Sequence, residues 1–196
     1  MGLGFLDLKY ESVVLPYNDE DTPLELTGVK MLPILEISKG NNINESLDIL
    51  RKLDQENLFN WQVLEDQREE IEELISKIGS PVHSLCMPYW IWTPEFDPIS
   101  RKYFQTKKEQ KRGPFKNLIH DKDIYIKALN QILDEVEIQL TPFYKSPTMS
   151  IVDIMIASHL WGMYIFPEFQ FSPKMHQYLQ KIKTKAHFEY HSDFWK

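Results

Sequence analysis

The sequence predicts a small α/β unit followed by an all-helical unit, on three observations. Before about residue 54, short β-branched runs broken by Pro, Gly and Asn read as strands between brief helical patterns. Beyond it, every periodic segment carries apolar residues at three- and four-residue spacing, with no convincing alternation. A chain of 196 residues with 42% hydrophobic content is also long enough to bury a real core. The boundary is placed between residues 54 and 60.

In order, "LKYESVVL" (8–15) ends in β-branched residues before Pro16 and the turn-rich "YNDEDTP", so it is expected as a strand. "PLELTG" makes a short helix ending at Gly28. "PILEI" (33–37) is a second strand, "SKGNN" a tight polar turn, and "IN" the start of a short third strand leading into a helix from Ser46 to about Lys52. Helices are then expected at 60–79, at 82–91 after Pro81, at 98–112 up to Gly113, and at 121–140, 149–165 and 173–186. No internal repeat or low-complexity tract interrupts them.

Composition narrows the function. With 22 Lys+Arg against 29 Asp+Glu, the net charge of -7 opposes broad attraction to nucleic acid or to anionic lipid. The single cysteine, Cys86, excludes an internal disulfide framework and fits a reducing cytoplasm. The opening "MGLGFLDLKYESVVL" has no basic region leading into a sustained apolar stretch, so no signal peptide is expected. "IVDIMIASHLWGMYIF" is too short for a membrane span and carries Asp153 and His159, which points to a buried helix.

The segment "GVKMLPILEISKGNNINESLDIL" (28–50) holds the candidate site. Proline cannot donate to a sheet ladder, so Pro33 belongs at the first residue of a strand or on an edge. A cis Leu32-Pro33 bond would turn the chain and leave the backbone N–H and C=O of Leu32 free for an extended ligand. Ser46, where a helix begins, offers its hydroxyl and the first backbone amides at the positive end of the helix dipole, a seat for a carboxylate. Glu45 beside it could accept from an ammonium. The structural alternatives are a trans proline that opens a strand and a serine that serves only as an N-cap.

"LPILEI" followed by "NESLDIL" resembles the cis-proline and Glu-Ser segments of the thioredoxin-fold domain in glutathione transferases and their relatives. "SRKYFQTKKEQKRGPFKNLI", with the "YNDEDTP...GVKMLPIL" run, is similar more narrowly to the glutaredoxin 2 family, two-domain glutaredoxins shaped like a transferase. The resemblance implies an incomplete thioredoxin-like α/β domain at 1–54, its first strand missing, and an all-α glutathione S-transferase-like domain at 60–196. It places Leu32, Pro33, Glu45 and Ser46 at the glutathione-binding positions, with Asp48 just behind. It implies glutathione-dependent thiol-disulfide oxidoreductase activity, with glutathione as co-substrate and disulfide-containing or glutathionylated proteins as partners. The alternatives are a non-catalytic glutathione-binding module and a glutathione transferase. "TMSIVDIMIA" also resembles the transferase-type helix start in which Ser150 caps and Asp153 reaches back.

The Cys-x-x-Cys motif of that family is absent from this sequence, so no catalytic residue is assigned. The resemblance makes "MGLGFLD" the last turns of the first helix and implies a chain shortened at its N-terminus, by design, by a start codon set at an internal Met, or by gene decay. The segment "KYESVVL" would then lack its natural neighbour, and the first half would be the less stable.

Other candidates have plainer readings. Cys86 with His83 three residues earlier could be an activated thiol, but Leu85, Met87 and the aromatic run that follows favour a buried apolar cysteine. Arg101, Lys102, Lys107, Lys108, Lys111 and Arg112 could seat a polyanion, yet Glu109 and Gln110 interleave them and favour a solvated helix face. His187 and His191 have metal-ligand spacing without a third ligand, so no metal site is assigned. "EDQREEIEELISK" reads as an amphipathic helix with an exposed charged face.

Overall fold

The computed structural model describes residues 1–189. The first half consists of α1 (Gly2–Phe5), α2 (Asp21–Thr27), the strands β1 (Leu35–Ser38) and β2 (Asn41–Ile43), and α3 (Ser46–Leu53). Asp19 starts α2 by accepting from the Thr22 amide (3.0 Å) and hydroxyl (2.7 Å). Gly28 ends it at φ 77, a left-handed conformation that costs glycine least. β1 and β2 form an antiparallel hairpin with Leu35 opposite Ile43, tighter than the expected five-residue turn.

Residues 8–15 are not a strand, contrary to the sequence pattern. A strand needs a ladder partner, and among the described residues the sheet holds only β1 and β2. The segment therefore runs without regular structure, with Val13 76% and Val14 75% exposed.

The second half is helical: α4 (Gln62–Asp66), α5 (Arg68–Trp90), α6 (Pro98–Arg112), α7 (Phe115–His120), α8 (Lys122–Ile138), α9 (Ile151–Leu160), a 3-10 turn at Trp161–Ile165, and α10 (Pro173–Lys185). The expected break at Pro81 does not occur. The break falls at Gln67 instead, and α5 then runs through both Pro81 and Pro88. Each proline deprives one preceding carbonyl of its helical donor, but Ile78, Val82 and Leu85 on the same helix are almost wholly buried, and that packing holds the helix together. As expected, the apolar Ile71, Leu74 and Ile78 face the core while Glu69, Glu70, Glu72 and Glu73 are exposed. α6 has the expected bounds, started by Asp97, whose carboxylate accepts from the amides of Ile99 (2.7 Å) and Ser100 (2.8 Å).

The capping box at the start of α9 is formed. The Ser150 amide donates to Asp153 (2.8 Å) and the Val152 amide to the Ser150 hydroxyl (3.2 Å). Asp153 is fully buried and also accepts from the Tyr144 amide (2.9 Å) and the Tyr178 hydroxyl (2.8 Å). Burial raises its pKa against the pull of these three donors and of the Ser150 hydroxyl, which donates to it at 3.2 Å.

The two halves meet around Asp54, a buried carboxylate that accepts from the amides of Leu58 (2.7 Å) and Phe59 (3.0 Å) and from the Trp61 indole (2.9 Å). α1 closes on this joint: a Cβ on Gly2 would stand 2.4 Å from Leu50, and the rings of Phe5 and Phe59 are 5.0 Å apart. On the other side Ser100 donates to Asn18 (2.7 Å) and Lys107 pairs with Glu20 (2.7 Å).

Candidate functional site

A cavity of about 510 Å³ lies between the halves, and Pro33, Ser46, Leu47, Ile154, His159 and Trp161 are among the residues that line it. The hairpin brings Pro33 to it and the first turn of α3 brings Ser46, so two residues thirteen apart in sequence share one wall. The Leu32-Pro33 peptide bond is cis. Neither backbone group of Leu32 is hydrogen-bonded among the described residues, and its side chain is 58% exposed.

Ser46 is the first helical residue of α3, and Glu45 occupies the cap position at φ 69, ψ 108. The plain reading of Ser46 as the N-cap is thereby corrected, since no side chain caps this helix. The Ile49 amide reaches the Glu45 carbonyl (2.9 Å), so the amides of Ser46, Leu47 and Asp48 remain at the positive end of the dipole without an intrahelical acceptor. Positive φ is uncommon for a glutamate and costs about 1–3 kcal/mol. Glu45 and Leu32 each directly precede a lining residue; they are exposed and lie outside the lining itself.

This arrangement suits the ends of a short peptide: bare amides for a carboxylate, an acidic side chain for an ammonium, and a free backbone for a peptide group. The sequence reading missed the opposite wall. Ser158 and His159 break the apolar run that follows Asp153 in this helix, and that polar pair was the available signal for a helix face turned away from the core. Trp161 follows at the point where α9 tightens into the 3-10 turn.

Cys86 does not line this cavity. Its Sγ is fully buried, 3.5 Å from the Gly162 carbonyl and 3.3 Å from Met163 Sδ, and burial alone drives its pKa far up. His83 does not activate it, because Nδ1 of that ring faces Arg112 at 3.4 Å. The basic face of α6 is only partly solvated: Arg101 Nε donates to the Ile91 carbonyl (2.6 Å), and its guanidinium lies over Trp92. Among the described residues no group of three or more His, Cys, Asp or Glu could hold a metal ion; His191 lies outside the described residues.

The architecture is that of glutathione transferases. A glutathione transferase of Phanerochaete chrysosporium superposes with a TM-score of 0.77 at 14% identity, over 96% of this chain and 88% of that one. The family model for the glutathione S-transferase N-terminal domain matches residues 1–57, and that for the glutaredoxin 2 C-terminal domain matches residues 70–194. Glutaredoxin 2 of Escherichia coli K12 is 31% identical over 170 residues, covering 76% of this chain and 78% of that protein. Glutaredoxin 2 of Salmonella typhimurium, solved in complex with glutathione, has a TM-score of 0.86 at 25% identity over 97% of this chain and 89% of that one. The chain belongs to the glutaredoxin 2 family. Its fold is a thioredoxin-like α/β unit, whose sheet has two strands among the described residues, joined to an all-α glutathione S-transferase-like unit.

Proposed function

We propose that this chain binds glutathione in the cavity between its halves, as the glutathione-holding part of a glutathione-dependent thiol-disulfide oxidoreductase. One observation carries the reading: Pro33 and Ser46 share a cavity, the α3 amides beside it are uncapped, and the backbone of Leu32, next to Pro33, is unpaired among the described residues. In this reading the Leu32 N–H and C=O hold the peptide part of glutathione. Ser46 and the amides behind it hold a carboxylate, Pro33 forms the apolar wall, and Glu45 accepts from the ammonium. Residues 1–54 are the glutathione-binding domain and residues 60–196 the helical domain that completes the cleft. The glutathione complex of the Salmonella typhimurium relative and the family membership support the choice of ligand.

Disulfide-containing or glutathionylated proteins are the partners this chemistry would serve, in a reducing cytoplasm consistent with a single free thiol. No described helix is long and apolar enough to cross a membrane. The buried state of Cys86 favours a second reading for this chain by itself: a glutathione-binding module without turnover, since an inaccessible protonated thiol cannot attack a disulfide.

The test is glutathione-linked reduction of a model disulfide by this chain and by Cys86→Ser, alongside calorimetric titration with reduced glutathione. Saturable binding without turnover in either form is expected. Turnover that Cys86→Ser abolishes would make Cys86 the nucleophile and overturn the reading.

A further inference from the structure

His159 lines a second cavity of about 520 Å³, together with Gly79, Ser80, His83 and Arg112. We propose that this cavity binds a small-molecule oxyanion, a carboxylate or phosphate group held by the guanidinium of Arg112 between the imidazoles of His83 and His159.

Arg112 is half-buried at the end of α6 and fixed against α5. Its Nη1 donates to the Ser80 carbonyl and the Ser84 hydroxyl, both at 3.2 Å, and its Nη2 meets His83 Nδ1 at 3.4 Å. All three partners are neutral, and among the described residues no carboxylate pairs with it. A guanidinium carries five N–H donors, so its Nε hydrogen and one Nη2 hydrogen are left for incoming oxygens. Its place in the last turn suits the dipole of α6, but that role requires no cavity.

The imidazoles complete the site. Because His83 Nδ1 accepts from Arg112, the neutral ring carries its proton on Nε2 and offers a further donor. Trp90 packs edge-on against that ring at 5.8 Å. Burial first, then the neighbouring Arg112, His159 and Lys108, hold its pKa down at about 4; burial disfavours any charge here, and the cations Arg112 and Lys108 are what would favour an anion. His159 donates from Nδ1 to the Met155 carbonyl (2.9 Å), so its Nε2 is the free end, a lone pair in the neutral ring and an N–H donor to an oxyanion only in the imidazolium. Glu72 also lines the cavity, its carboxylate engaged by Arg68 at 3.5 Å.

Gly79 leaves the space between the rings. A Cβ there would stand 3.5 Å from His159 Cδ2 and 3.8 Å from His83 Cε1, ordinary contact distances. Packing therefore does not demand glycine, and glycine in the middle of a 23-residue helix is unfavourable. Its presence keeps the floor of the cavity open.

The experiment is an NMR titration of the full chain with inorganic phosphate and, separately, with succinate, at ionic strength held constant with sodium chloride. The ring C–H signals of His83 and His159 should shift saturably. Saturation by phosphate alone assigns a phosphate group, and by succinate alone a carboxylate. Arg112→Gln should weaken that binding at least about tenfold while leaving glutathione affinity unchanged, which separates this site from the glutathione cleft. Gly79→Ala retains Arg112, favours the helix and should also weaken binding, so it decides the matter if Arg112→Gln fails to fold. Shifts that rise linearly with both anions, or saturable binding unchanged in both variants, would overturn the proposal.

Discussion

In α9, Ile151, Val152, Ile156, Ala157 and Leu160 have no exposed surface, whereas Val13 and Val14, equally apolar, are three-quarters exposed. The same contrast runs through the chain. Among the described residues, Pro23, Ile49 and Leu50 are the buried apolar side chains of residues 1–54, while α5, α8, α9 and α10 pack one continuous core. Yet Pro33, Glu45 and Ser46, which we assign to the ligand, come from the weakly packed half. The helical half contributes stability and the opposite wall; the first half contributes backbone groups left free to bind. A region that presents unpaired amides to a ligand cannot also use them to hold itself together.

The largest expected effect is on hydrogen exchange. Amides of residues 9–15 should exchange almost without protection, and those of α5 and α9 only through global opening, because the first set has no ladder and the second lies in the core. Equal protection of residues 8–37 and of 121–165 would break the comparison. Next in size is Asp153→Ala, which leaves the donors of Tyr144, Ser150 and Tyr178 buried without their acceptor. Urea unfolding should show a loss of about 3 kcal/mol.

Acid should act through the helical half as well. His83 protonates at about 4 in the folded chain and near its ordinary 6.5 when unfolded, so between those values the unfolded state binds more protons. Its contribution is fully present above about 6.5 and is lost as pH falls toward 4. His83→Gln should flatten the stability–pH curve in that window, measured by urea unfolding at several pH values. The smallest effect is expected from Val13→Thr, at most about 0.5 kcal/mol in the same assay, because that side chain packs against nothing that unfolding would expose.

The local signals in the sequence were reliable where the chain satisfies itself locally. Gly28 ended α2, Gly113 ended α6, and Ser150 with Asp153 opened α9, each through geometry set within a few residues. The errors lie where distant packing decides. "KYESVVL" has strand composition without a neighbour to pair with, and Pro81 sits in a helix that the core keeps continuous. The site divides in the same way: Pro33 and Ser46 were legible from turn and helix-start chemistry. Trp161 and His159 were not, because only the packing of α9 across the cavity turns them toward α3.

The most direct test of the central claim is an amide NMR titration with reduced glutathione. The account predicts saturable shifts concentrated at Leu32, Ser46, Leu47 and the Trp161 indole, and affinity reduced by about threefold or more in Ser46→Ala, which removes one hydrogen bond to a charged group. Saturable binding that leaves those signals unmoved, or that Ser46→Ala does not weaken, would contradict it.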